Sequence, residues 1–185
     1  MLTESNRIVP GYHGTSVQYA SSIMHGGALR ASQNDYDWLG HGAYFWEGAP
    51  FRAWDWARKK YGADAAVIEA DIRLGFCLDL TDIRYTSAIR LAFDGLREAY
   101  AAKGLTIPAN RGKARRLDCL VINYVAEYVF PECETVRAAF LEGVPIFDGS
   151  AFLTSSHVQI AVRKPSSGTL KRVRTASRIE EHEHE

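Results

Sequence analysis

The chain has 185 residues, 46% hydrophobic and 24% charged, with 22 Lys plus Arg against 22 Asp plus Glu and a formal net charge of zero. At about 100–200 residues per domain this suffices for one core and one site, and it excludes a disordered or fibrous chain. Charge balance also excludes the overall electrostatic footprint of a non-specific nucleic-acid binder, so a polyanion would have to be met locally.

Cys77, Cys119 and Cys133 are odd in number and far apart. With no CxxC pair they suggest neither a disulfide framework nor a zinc knuckle, and a reducing cytoplasm fits them. The first ten residues carry Glu4, Asn6 and Arg7. No apolar run approaches the roughly 18 residues that span a bilayer, so the expectation is a soluble cytoplasmic protein with no membrane partner.

In chain order, residues 8–13 predict a first strand that runs into Gly11-Tyr12-His13-Gly14-Thr15. Thr15 or Ser16 can cap a helix reaching about His25, which Gly26 and Gly27 stop. Residues 28–40 are mostly polar and turn-forming and read as a surface loop carrying Leu29 and Trp38. Residues 42–47 predict a second strand, and Pro50 opens a helix that Gly62 closes. Residues 65–73 alternate, with Ala66, Ile68, Ala70 and Ile72 on one face and Glu69, Asp71 and Arg73 on the other.

A helix is expected from Thr81 or Asp82 to Lys103, and another over residues 116–130, ended by Pro131. Residues 136–141 and 157–164 predict the last strands, the second placing His157 and Gln159 on one face and Val158, Ile160 and Val162 inward. Helices interspersed with strands argue for α+β rather than a doubly wound sheet. The expected organisation is one domain over residues 1–165 and a polar, frayed tail over 166–185. His182 and His184 in that tail lack the fixed geometry of a metal site, and no metal is expected.

Two short motifs carry chemistry. Tyr12-His13-Gly14-Thr15 ends the first strand with a histidine and a glycine that permits close approach of a ligand. Gly40-His41-Gly42-Ala43-Tyr44-Phe45 opens the second strand, with Ala28-Leu29-Arg30-Ala31-Ser32 between them. In this order they resemble the ADP-ribosyltransferase superfamily, in its diphtheria-toxin-like and poly(ADP-ribose)-polymerase-like branch. That branch has His-Gly-Ser/Thr on a first strand, a Leu-Arg loop, then Gly-x-Gly-x-Tyr-Phe. The resemblance covers roughly residues 8–60 and weakens beyond.

It implies a split, twisted, antiparallel-rich β-sandwich with peripheral helices, and NAD as co-substrate. His13 would bond the nicotinamide ribose, Gly14 the carboxamide, and Tyr44 would stack on the nicotinamide ring. Arg30 would meet the phosphates, where a guanidinium fork suits their oxygens. Thr15 and Gly42 would line the NAD site and Trp54 would close its other side. The family's third catalytic residue is usually a glutamate; here Gln159 aligns with it.

Cleavage of the ribose–nicotinamide bond develops an oxocarbenium-like cation, which a carboxylate stabilises and an amide meets only with its dipole. Gln159 cannot ionise and so cannot be a general base. Glu142 and Glu47 are candidate replacements, and His157 a candidate base. The implied activity is mono-ADP-ribosyl transfer from NAD to a protein, RNA or DNA acceptor, compatible with a toxin or defence effector and with an antitoxin or regulatory partner. An NAD glycohydrolase and an inactive NAD- or ADP-ribose-binding module are the alternatives. The basic residues between Arg84 and Arg116 and between Lys171 and Arg178 would serve a nucleic-acid acceptor only by converging on the cleft.

Overall fold

The computed structural model describes residues 1–166 and 168–178. Its elements are β1 (Glu4–Ser16), α1 (Val17–Met24), β2 (Ala43–Glu47), α2 (Pro50–Tyr61), β3 (Ala65–Asp79), α3 (Thr86–Ala102), α4 (Arg116–Tyr124), β4 (Thr135–Phe140), β5 (His157–Val162) and β6 (Leu170–Thr175). The fold is α+β. Strand order is β1-β2-β5-β4-β3-β6, and β1 also pairs with β3. That extra pairing closes β1, β2, β5, β4 and β3 into a ring, with β6 outside it on β3.

The length of β3 makes the ring possible. Its first part lies between β1 and β6, through Ile68↔Thr175 and Ile72↔Leu170, and its last residues turn to β4 through Cys77↔Thr135 and Asp79↔Arg137. The β3–β4 pair is parallel and the others are antiparallel. Inside the ring pack Val9, Phe45, Ile72, Ile160 and Val162, with Leu29 against them. Outside, α2 covers Tyr12, Trp46 and Val67 through Ala53, Trp54 and Ala57. The α3–α4 pair covers Leu78, Val136, Ala138 and Ala161 through Ala92, Val121 and Ile122. Burial of these apolar side chains, at roughly 1.5–3 kcal/mol each, is what favours the closed arrangement.

The local signals hold where they are strongest. Ser16 caps α1 by accepting from the Tyr19 N–H at 3.2 Å. Pro50 opens α2 and Gly62, at φ 59°, ends it. Other elements differ from expectation. β1 begins at Glu4 and β3 runs on to Asp79, because cross-strand pairing continues past the alternating stretch, with Arg73 bonding Glu4 at 3.1 Å. The helix expected from Thr81 begins as a 3-10 turn over Ile83–Tyr85 capped by Asp82, and α3 proper starts at Thr86. The helix expected to reach Phe130 widens into a π turn over Val125–Val129, closed by the Phe130 N–H on the Val125 carbonyl at 2.8 Å.

The largest correction is β6. Residues 170–175 fall in the expected frayed tail but form a strand on β3. Leu170 and Ala176 are buried, and Arg172 and Arg174 pair across the strands with Asp71 and Glu69. Only Leu170 of β6 is buried and the next five residues are all exposed, so this edge strand shows no alternation of apolar and polar side chains. The face expected to be open on β5 is also covered, since His157 and Ala161 are buried as well as Ile160 and Val162. His182 and His184 lie outside the described residues.

Candidate active site

The β1–β2 ladder is short, consisting of Gly11↔Glu47 and Tyr12↔Trp46. Beyond Tyr12, β1 stays with β3 as far as Ser16↔Ala65, while β2 follows β5 back to Ala43↔Val162. The strands therefore fork at His13. The imidazole bridges the fork, its Nδ1 2.8 Å from the Tyr44 carbonyl. A carbonyl only accepts, so Nδ1 carries the proton and Nε2 is left as an acceptor. Burial pushes the His13 pKa below its ordinary value, which keeps the ring neutral.

Next to it, Gly14 is pressed against α2: a Cβ there would stand 2.7 Å from the Ala53 carbonyl oxygen and 2.9 Å from Cε3 of Trp56. Thr15, at 3% exposure, and Gly42 are buried, so neither stands open to a ligand as expected, and α2 fills the space at Gly14 that was expected to admit one. Gly42 exchanges both backbone bonds with Ser32, at 2.8 and 3.1 Å, which ties the long loop to the start of β2.

Tyr44 is anchored at its hydroxyl, which accepts from the Leu39 N–H and donates to the Gly40 carbonyl, both at 2.7 Å. Burial pushes its pKa well above the ordinary value, so the phenol stays protonated. Gly40 sits at φ 73°, and a Cβ on it would approach Asn123 Oδ1 to 2.6 Å. That same oxygen accepts from the His41 N–H at 2.8 Å and from Arg163 at 3.2 Å. Side chains alternate along a strand, so Tyr44 shares the face of Trp46 while His13 packs with Phe45, ring centroids 5.6 Å apart. The two expected ligand-gripping rings meet through the Tyr44 carbonyl rather than ring to ring.

Gln159 pairs with Trp46 on one side and Ala138 on the other. Its amide nitrogen is 2.9 Å from His157 Nε2, and His157 Nδ1 is 2.7 Å from the Ser155 carbonyl. Nδ1 must therefore donate and Nε2 accept, which turns the Gln159 NH2 inward and leaves its carbonyl oxygen without a protein partner among the described residues. Burial lowers the His157 pKa. Glu142 stands beside this pair, 3.8 Å from His157 Nδ1, and receives Arg52 at 3.2 Å. Two N–H donors here, Trp46 Nε1 and Arg52 Nε, are buried and have no partner among the described residues. Leaving such a donor unpaired costs about 1–3 kcal/mol, which a ligand's acceptor atom would recover only by displacing a neighbouring side chain, since neither donor has accessible surface. The Trp46 ring lies 6.5 Å from His157 and 5.8 Å from Trp56, the residue that also borders Gly14.

The structure thus gathers Gln159, His157 and Glu142 with Trp46, Trp56 and Arg52. The last three were not anticipated; an unpaired indole N–H is legible only once its neighbours are known. Trp54 is at 5% exposure beneath α2 and donates to the Ser177 carbonyl at 3.2 Å, so Trp56 is the aromatic that stands against Gly14. Glu47 is held by Arg137 at 2.5 and 3.1 Å and by Arg7 at 2.9 Å, away from Gln159. Arg30 is exposed on the loop, with its backbone N–H on the Tyr19 hydroxyl at 2.8 Å. Of the basic residues between Arg84 and Arg116, Arg84, Arg97 and Arg116 pair with Asp82, Asp94 and Asp35, and Arg115 lies over the Trp38 ring.

All three cysteines are buried and free, and burial pushes the Cys77 thiol to about 12 and Cys133 to about 11. Among the described residues, no group of three or more His, Cys, Asp or Glu could hold a metal ion, and no helix is long and apolar enough to cross a membrane.

No family model matches the sequence. Over 122 residues it is 31% identical to an uncharacterized protein of Methanocaldococcus jannaschii, an overlap of 62% of this chain and 54% of that one. The chain therefore spans about half the length of this curated relative.

Proposed function

We propose that this chain is a mono-ADP-ribosyltransferase that uses NAD, with an active site where β1 and β2 part beside β5. The observation that carries the reading is the cluster beside Gln159: its free carbonyl oxygen, two buried N–H donors unpartnered among the described residues, and the Glu142 carboxylate, paired with Arg52 and 3.8 Å from His157. The antiparallel-rich strands with helices packed outside, and the order of the His-Gly-Thr and Gly-x-Tyr-Phe motifs, agree with the resemblance in sequence. The finer fold that the resemblance implies, a split β-sandwich, belongs to this proposal.

In the proposed reaction the pyridine ring of NAD lies against Trp56 and Trp46, with the Trp46 and Arg52 donors turned toward its carboxamide. Tyr44 contributes its ring face, since its hydroxyl is already engaged. His13 Nε2 accepts from a ribose hydroxyl across the fork, and Arg30, exposed on the loop, meets the phosphates. The bond between ribose C1′ and the pyridine nitrogen breaks, and its electron pair leaves with neutral nicotinamide. The cation on the sugar is met by the Gln159 carbonyl dipole and the Glu142 charge. A lone pair of the acceptor then bonds C1′, and the acceptor proton passes to Glu142 and on to water. With an amide at position 159 and the carboxylate set back, one transfer is favoured over chain growth. A role as a toxin or defence effector, held in check by an antitoxin or regulatory partner, is compatible with this chemistry.

The test is incubation with adenine-labelled NAD, with and without cell lysate. Label on protein or nucleic acid together with free nicotinamide is the expected result, falling about 10²–10⁴-fold in Glu142→Gln. Nicotinamide release at full rate without lysate would mean hydrolysis instead. NAD binding without turnover would mean a binding module.

A further inference from the structure

A separate cavity of about 850 Å³ lies between the α3–α4 pair and β4, and the three residues expected to be catalytic, His13, Tyr44 and Gln159, are absent from its walls. Its volume is within the range of about 300–1,000 Å³ usual for small-molecule sites. Leu117 and Ile89 form apolar walls, and three aromatic rings, Trp38, Phe93 and Phe140, border it. Trp38 and Phe140 are packed ring to ring at 4.9 Å, and the Trp38 indole N–H is fixed on the Lys113 carbonyl at 2.8 Å, so this wall is preformed.

The charge of the lining selects the ligand. Among the described residues no Lys, Arg or His lines the cavity and two aspartates do; Arg115, outside the lining, lies over the Trp38 ring 5.1 Å from its centroid. Asp82 is occupied by Arg84 at 2.7 Å and caps the turn before α3. Asp118, half-buried in the first turn of α4, has a carboxylate without a hydrogen bond or ion pair among the described residues. A carboxylate facing a largely apolar space repels phosphates and attracts an ammonium group, and the reduced dielectric strengthens both effects.

We infer that this cavity is a second binding site, specific for a small aromatic ammonium cation whose ring lies among Trp38, Phe93 and Phe140 and whose amine pairs with Asp118. The site is independent of the proposed transferase reaction.

Calorimetry on the full chain with tryptamine, indole and indole-3-acetate tests it, because the three share one ring and differ in charge. Tryptamine is expected to bind at least tenfold more tightly than indole-3-acetate, with indole between them. Asp118→Asn should bring tryptamine to the affinity of indole and leave indole unchanged. Thr86→Trp, at an exposed position on the cavity wall, should remove binding of all three without lowering the melting temperature. Saturating NAD should leave tryptamine binding unaltered. Absence of binding by all three, equal binding of the acid and the amine, an unchanged tryptamine affinity in Asp118→Asn, or displacement by NAD would each overturn the inference.

Discussion

His157 and His13 are imidazoles that burial keeps neutral, against the opposing pull of the Ser155 and Tyr44 carbonyls that accept from their Nδ1 atoms. In both, burial lowers the pKa below the 6.5 of the free group. The unfolded chain therefore takes up protons first as pH falls, so stability is full above about pH 6.5 and is lost on acidification. We expect the melting temperature to drop between pH 7.5 and 5.5, and His157→Gln to show a shallower drop; identical slopes would contradict the assignment. Carboxylates divide the same way between structure and chemistry. Arg137 is 9% exposed and depends on Glu47 and Asp79, so Glu47→Gln should cost about 3 kcal/mol in denaturant unfolding. Glu142, half-exposed on its loop, should tolerate the amide with little change in stability and lose label transfer. The sequence offered both glutamates as equals, because only the fold decides which one stands beside His157, the partner of Gln159.

At the scale of elements, α4 fixes the loop that precedes β2. Asn123 holds His41 and Arg163, and the Tyr44 hydroxyl holds Leu39 and Gly40. Tyr44→Phe leaves a backbone N–H and a carbonyl unpaired and should cost about 1–3 kcal/mol in denaturant unfolding. Gly40→Ala adds strain at positive φ and a clash with Asn123, and should cost at least as much. Helix α2 was legible to the residue, because Pro50 and Gly62 are local signals. Strand β6 was not, because Lys171, Arg172 and Arg174 read as a solvated basic run until Asp71 and Glu69 lie opposite them. The π turn after Tyr124 was equally hidden, since its apolar spacing is compatible with an ordinary helix.

For the whole molecule, the His-Gly-Thr and Tyr-Phe motifs were readable in sequence as two points about thirty residues apart. Their relation was not: closure of the ring through β1–β3 sets the fork, and the fork places His13 and Tyr44 on different faces. The outer strand β6 buttresses this arrangement. Ala176 donates to the Val67 carbonyl at 2.8 Å and Ser177 receives the Trp54 indole. A chain ending at Pro165 should therefore melt at lower temperature and show red-shifted tryptophan emission; an unchanged melt would mean that β6 adds nothing to the fold.

The central claim is that NAD is broken beside Gln159 and Glu142 and that its ADP-ribose is passed on. The most direct measurement is the ratio of macromolecule-bound adenine label to free nicotinamide when the purified protein meets labelled NAD and lysate. The account predicts a ratio near one, with both quantities lost together in Glu142→Gln. Intact NAD, with neither nicotinamide released nor label transferred, would contradict it.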